Sequence, residues 1–426
     1  MIFRMGVRTA HPEAFFAQDE IQTALKKASA ECTGRCIVLG AGKAAAAMAA
    51  TLEKNWPGDL EDSPSLEGVV ITRTGYDVPT SGIEVVLGAH PHPGEASGPV
   101  AMRMLELAAG LTANDLLIGL WSGGGSALLA CPPEDVSFDR LRKLTKHLLN
   151  SGANIHEINS VRKHLSQIAG GQLAKAASPA RLLNLIIPDV VRGSDEAVTL
   201  SAIASGPCVP DPTTQEQALA VLAEYEIDVS DEISKYLKNP TNETPGNWAE
   251  LDLTHYATHV LEPDVAVENV ARIFETREYA LAKIDAEVTG DATEAAKRHA
   301  HLAKSIATMG QRAAIVTGGE VTVNVTGTGT GGPNQEYALA LALELDGAEN
   351  IHAVAGDTDG IDGFGEAAGA FVAPDTLARM LSAGIDPAAC LANNDASTAF
   401  AAIDDLLITG PTFTNVNDLR LIVING

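Results

Sequence analysis

The sequence predicts an α/β protein of two domains, the first a doubly wound sheet and the second a smaller α/β unit. Three observations carry that expectation. Apolar runs of strand length alternate with helix-patterned stretches along the chain. The 426 residues suffice for two domains, each with its own core. Between them, "LKNPTNETPGNW" (residues 237–248) concentrates Pro, Asn, Thr and Gly as a linker does. The expected domains are therefore residues 1–238 and 249–426.

Taken in order, "CIVLGAG" reads as a strand running into the Ala-rich helix "KAAAAMAATLEK", and "GVVITR" and "IEVVLGA" read as further strands. "GPVAMRMLELAAG" is a helix, and "LLIGLW" a parallel strand buried on both faces. Two helices follow, "FDRLRKLTKHLLNSG" and "INSVRKHLSQIAGGQLAKAA", the second closed by a Gly pair, and then the strand "RLLNLIIPDVV". Beyond the linker, "DVAVENV" reads as a strand, "TEAAKRHAHLAKSIATMG" as a helix, and "RAAIVTGG" and "EVTVNVTG" as strands. "GPNQEYALALALEL" is a helix, "IHAVAGDTDGIDG" a strand ending in acids, and "LLITGP" a late strand.

A net charge of −26 argues against nucleic acid and against anionic membrane surfaces as partners. It also makes any local cluster of cations informative. The five cysteines are few, odd in number and scattered, which fits reduced thiols in a cytoplasm better than a disulfide framework. The N-terminus lacks an apolar signal core, and no run reaches the ~18 apolar residues of a membrane span. A cytoplasmic protein is expected.

The segment "LWSGGGSALL" drives an apolar strand into three glycines between Ser122 and Ser126. Consecutive glycines carry a large entropic penalty, so something is expected to approach the main chain closely. With a helix opening after them, Gly123, Gly124 and Gly125 would present backbone N–H groups to an anion, phosphate being the usual one. The competing reading is a tight strand–helix connection.

"CIVLGAGKAAAAMAA" matches the strand–G-x-G-x-x-A–helix pattern, in which Gly40 and Gly42 admit a pyrophosphate. The acid that would bind a ribose at the end of the next strand is missing, since "GVVITR" ends in Thr72 and Arg73. A nicotinamide site and a plain turn both stay open. Lys43 adds a point charge suited to a phosphoryl group. Arg162, Lys163 and His164 form a positive patch, read either as an anion site or as a solvated helix face. Asp357, Asp359 and Asp362 follow a strand. One or two of them would serve Mg²⁺ held against substrate phosphates, or all three belong to an Asx-type turn. "GGPNQE" and "TGPTFTNVNDL" carry Asn and Thr side chains able to read ligand hydroxyls.

Together with "AHPHPGEAS", "LLNSGANIHEINSVRKHLS" and "AIASGPCVPDPTT", these motifs occur in the order found in the glycerate 2-kinase family, which the chain resembles over nearly its whole length. The C-terminal part of that family is the MOFRL domain, and some members were labelled hydroxypyruvate reductase. The resemblance implies an ATP- and Mg²⁺-dependent kinase that makes 2-phosphoglycerate from D-glycerate. It also implies a Rossmann-like N-terminal domain, a smaller α/β C-terminal domain and an active site in the cleft between them.

By resemblance Lys43 is the family's lysine, and Lys43 and Asp189 are taken as catalytic. Gly40, Gly42, Ser122, Gly123, Gly124, Gly125 and Ser126 bind nucleotide phosphates. Arg162, Lys163, Asn334, Glu336 and Asn415 bind substrate, and Asp357 and Asp359 hold the metal, although sequence does not divide metal-holding from proton-accepting among the three acids. The chain departs from the family at Pro333, where many members carry arginine, in the longer stretch 188–207, and at Phe413, where glycine is common. The competing functions are an NAD(P)H-dependent hydroxypyruvate reductase, with His90 as proton donor, and a kinase for another small sugar acid. A homodimer is left open.

Overall fold

Six segments between residues 36 and 260 form an all-parallel sheet in the order β3-β2-β1-β4-β5-β6. The computed structural model describes residues 1–57, 64–190, 195–262, 264–363 and 365–426. The strands are β1 (Cys36–Ala41), β2 (Leu66–Arg73), β3 (Ile83–Gly88), β4 (Leu116–Ser122), β5 (Arg181–Ile187) and β6 (His255–Val260). Every residue of β1 and β4 is buried, which explains why both read as unbroken apolar runs. The chain winds outward from β1 to β3, returns to β4, and winds the other way to β6. This is the doubly wound, Rossmann-like order that the alternation predicts.

The stretch 237–248 is not a linker. The sheet continues past it, because β6 pairs with β5 from Arg181↔His255 to Ile186↔Val260. Leu251 is buried in the core beneath the sheet, and Trp248 stacks on Tyr256 with ring centroids 4.1 Å apart. Its Pro, Asn and Gly residues instead punctuate short helical turns at Pro240–Asn242 and Trp248–Leu251. The expected helix "INSVRKHLSQIAGGQLAKAA" is likewise two, Ile155–Lys163 and Gln172–Ala176, because Gly170 and Gly171 take φ of 58° and 80° between them.

Contacts divide the chain into Phe15–Leu261 and a second unit, Met1–Ala14 with Glu262–Gly426. The division expected at 237–248 thus differs from the division of contacts at both ends. Helix Ile2–Thr9 packs on helix Val265–Glu275 so closely that a Cβ on Gly6 would lie 2.7 Å from Val270 Cγ2.

The second unit holds β7 (Ala280–Asp285), β8 (Thr289–Asp291), β9 (Ala313–Thr317), β10 (Glu320–Thr322), β11 (Ile351–Asp357), β12 (Gly369–Val372), β13 (Leu406–Leu407) and β14 (Asp418–Ile424). Six of these form a mixed sheet, β13-β12-β11-β14-β9-β7, while β8 and β10 pair separately. "DVAVENV" is the start of helix Val265–Glu275, not a strand. Its buried residues Ala266, Val267, Val270, Ala271 and Phe274 follow the helical period despite the valines. β14 lies inside the sheet, between β11 and β9. The sequence reading does not anticipate it, because it follows directly on the polar loop "TGPTFTNVN".

Candidate active site

The strand order of the first sheet reverses between β1 and β4, the place where open α/β sheets bind ligands beyond their carboxyl ends. Lys43 leaves β1 there and the loop 123–126 leaves β4. Ile187, the last residue of β5, pairs with Ser122, so half-buried Asp189 stands just beyond the same edge.

The two glycine loops are tied to each other. The Lys43 N–H donates to Gly123 O at 2.8 Å and the Ala44 N–H to Ser122 Oγ at 3.0 Å. A Cβ on Gly40 would lie 2.5 Å from Leu120 O, and one on Gly42, where φ is 130°, would fall on Ser122. Gly40, Gly42 and Ser122 therefore serve the close approach of β1 to β4. Gly124 differs. With φ of 79°, its missing Cβ would lie 3.0 Å from the His90 ring and 3.5 Å from Lys43 Cγ, so it faces polar side chains. Gly125 and Ser126 open the short helix Gly125–Leu128, and the first N–H groups of a helix have no intrahelical acceptor.

Arg162 and Lys163 are sequence neighbours with opposite surroundings. Lys163 is buried, with Nζ 2.5 Å from Asp211 Oδ1 and 3.3 Å from Ser201 Oγ. Burial lowers its pKa and Asp211 opposes the shift. The expectation that Lys163 holds a substrate carboxylate is corrected, because its charge is already matched inside the fold. Arg162 is half-buried and lines a cavity of about 30 Å³ with Ser126, Ser166 and Ser205. Burial lowers its pKa. His164 is also internal, with Nε2 2.8 Å from Glu243 Oε1.

Sequence reasoning missed Ser205. Its Oγ donates to Ser126 Oγ at 2.7 Å. It lies in a turn whose residues Ala204, Ser205 and Gly206 take φ of 50°, 61° and 60°. Side-chain-bearing residues pay about 1–2 kcal/mol each in this region, and nothing in "IASGP" except its glycine signals it. The stretch 188–207 that includes this turn is described except for residues 191–194, which lie outside the described residues.

In the second unit the candidates fall around the end of β11. Asp357 pairs in register with Asp418 of β14. Asp357 Oδ1 accepts the Asp359 N–H at 2.9 Å, and Asp359 Oδ1 accepts the Ile361 N–H at 2.7 Å. Those are the bonds of an Asx-type turn. Among the described residues, no three His, Cys, Asp or Glu side chains converge as a metal cluster.

Asp362 is buried and accepts the N–H groups of Asn334 at 3.0 Å and Gln335 at 2.8 Å; burial nevertheless pushes its pKa up to about 7. Asn334 Nδ2 bridges Asp362 at 3.3 Å and Asp418 at 2.5 Å, and Arg420 pairs with Asp418. Asn334 is fully buried in this network. Glu336 is buried with Oε2 2.9 Å from Asn394 Nδ2, and burial raises its pKa. Asn415 Oδ1 accepts the Asn417 N–H at 3.3 Å. Pro333 occupies the first turn of helix Pro333–Leu345, where a missing N–H costs nothing. Phe413 has φ of 60°, a conformation that suits the glycine common at that position.

Comparison with known proteins gives matches over nearly the whole chain. A family model described as a domain of unknown function (DUF4147) matches residues 1–238, and the MOFRL family model matches residues 313–418. A protein of Agrobacterium vitis, provisionally named a hydroxypyruvate reductase, is 46% identical over 400 residues, spanning 92% of this chain and 87% of its own. The D-glycerate 2-kinase of Thermotoga maritima is 36% identical over 412 residues, spanning 96% of this chain and 94% of its own. A crystal structure of glycerate kinase from Thermotoga maritima superposes with a TM-score of 0.84 at 35% identity, over 99% of this chain and 97% of that one.

Proposed function

The chain belongs to the glycerate 2-kinase family, and on that premise we propose that it transfers the γ-phosphoryl group of ATP to the C2 hydroxyl of D-glycerate, giving 2-phosphoglycerate and ADP. The observation that carries the site assignment is the gathering of Lys43, the loop 123–126 and Asp189 at the carboxyl edge of one sheet, where its strand order reverses. Phosphoryl transfer asks a protein mainly to position reactants and neutralise charge. The N–H groups of Gly125 and Ser126 receive phosphate oxygens, and Lys43, lying along Gly124, neutralises the charge that spreads over the transferring group. Arg162 holds the carboxylate of the acid. Asp189 takes the proton from the attacking hydroxyl.

Asp357 and Asp359 fit Mg²⁺ only as a minority of its ligands. Each gives one oxygen to a turn, and the donor set is too small for an all-protein cage. Mg²⁺ brought in with nucleotide phosphates needs no more than one or two such carboxylates and supplies charge neutralisation when bound. The five cysteines are all free thiols, four of them buried, which supports a reducing compartment, the cytoplasm, as the setting. No described helix is long and apolar enough to cross a membrane.

The reductase reading is weaker on one observation: no acid stands at the end of β2, where a dinucleotide ribose would need one. The test is direct: purified protein with D-glycerate, ATP and Mg²⁺, following ADP, beside hydroxypyruvate with NADH. ADP formation without NADH oxidation is expected; the reverse pattern would overturn the proposal.

A further inference from the structure

The turn at Ala204, Ser205 and Gly206 is strained, and the strain is held in place deliberately by its surroundings. Gly170 N–H donates to Ser205 O at 2.9 Å and Gly171 N–H to Gly206 O at 2.7 Å. Ala204 Cβ sits 2.5 Å from where a Gly125 Cβ would be, so the turn is pressed against the glycine loop. Non-glycine residues persist in this conformation when the surroundings over-determine it, and such positions cluster at ligand sites. Here the result is that the Ser205 hydroxyl meets Ser126 in the cavity that Arg162 lines.

We propose that this cavity is the subsite for the substrate's carboxylate, with Arg162 as counter-charge and Ser126 and Ser205 as hydroxyl donors, and that Ser205 is a specificity-determining residue selecting acids over neutral polyols. The proposal rests on the kinase reading for the identity of the acid. Its size admits a carboxylate: the cavity of about 30 Å³ has room for about two water-sized atoms at ~10–15 Å³ each. Its charge argues the same way. A half-buried guanidinium whose pKa burial lowers, in a chain of net charge −26, is stabilised by an anionic partner. A carboxylate supplies that partner in the geometry guanidinium prefers. Each serine brings one O–H proton, and turning both toward the ligand exchanges their mutual bond for two charge-assisted ones.

The test uses the intact protein and two variants, Ser205→Ala and Ser126→Ala, titrated calorimetrically with D-glycerate and with its neutral amide, D-glyceramide. Steady-state ADP release is measured beside the titrations, with a thermal melt of each variant. Losing one hydrogen bond to a charged group should weaken D-glycerate binding by roughly tenfold or more, glyceramide binding should weaken less because its carbonyl accepts only a neutral bond, and the KM for ATP should stay unchanged in Ser205→Ala. The backbone bonds that hold the turn survive in both variants, so melting should not move; should Ser205→Ala fail to fold, Ser126→Ala alone decides. D-glycerate binding that is present in the parent and lost in the variants, without ADP release from any, keeps the subsite and removes the kinase reading. ADP release with an unchanged KM for D-glycerate in the variants keeps the kinase and overturns the subsite. A rise in the KM for ATP instead makes this a nucleotide-phosphate site and overturns it as well. No binding of D-glycerate to the parent overturns both.

Discussion

Lys163 Nζ lies 2.5 Å from Asp211 Oδ1 with both side chains closed off from solvent, while the adjacent Arg162 lines a small cavity with Ser126 and Ser205. Neighbours in one helix thus answer to different demands. Breaking a buried pair leaves a lone charge, so Lys163→Ala should destabilise by about 3–5 kcal/mol. Arg162→Met removes a half-buried charge and should leave stability unchanged or higher, while the KM for D-glycerate climbs. Urea denaturation and steady-state kinetics on both variants check this; a Lys163 variant as stable as the parent would refute the structural role.

Lys43 follows β1 and lies against Gly124. Lys43→Ala should lower kcat by about a hundredfold or more, the cost of removing one group that stabilises developing charge. The thermal melt should be close to that of the parent, since the Lys43 bond to Gly123 is made by the main chain. Turnover at the parental rate would reduce Lys43 to a residue that begins a helix.

Gly124 is the position in the loop where an added side chain meets the His90 ring and Lys43. Gly124→Val should abolish binding of ADP and 2-phosphoglycerate. Because φ is 79°, it should also lower stability, by about 1–2 kcal/mol or somewhat more for a β-branched residue. Calorimetric titration of whatever fraction remains folded separates the effects. Unchanged affinity for both ligands would mean that the three glycines serve packing alone.

Asp362 carries a pH signature. Its folded pKa of about 7 lies above the unfolded value of about 3.9. Between those values the folded chain binds the extra proton, so stability declines as pH rises from about 4 to 7 and is flat above, by at most about 4 kcal/mol. Asp418, also raised by burial, adds to the same trend. In Asp362→Asn the decline should shrink, whatever the absolute stability. Urea midpoints at a series of pH values from 5 to 8 give the difference between the two proteins; a difference constant with pH would show that Asp362 is ionised throughout.

The alternation of apolar runs with helical patterns determined the first sheet, because strands buried on both faces must be continuously apolar and the helices between them must show one face. Local sequence likewise placed Lys43, the loop 123–126 and the acids after β11 at the ends of strands, since Gly-rich exits and terminal carboxylates are visible without partners. Tertiary structure alone decided what each residue faces. The valines of "DVAVENV" suit a strand by propensity, yet their burial against helix Ile2–Thr9 and β7 follows a helical period. Gly40 and Gly42 look like a phosphate cradle, yet their missing side chains also let β4 approach, and Lys163 looks like an anion site until Asp211, 48 residues away, neutralises it. Ser205 has no local signal, because its conformation is imposed by Gly170 and Gly171. Periodicity reports which way a side chain points relative to its own backbone; which group stands opposite is set by chain closure over long separations, and that is where charge and space at this site were decided.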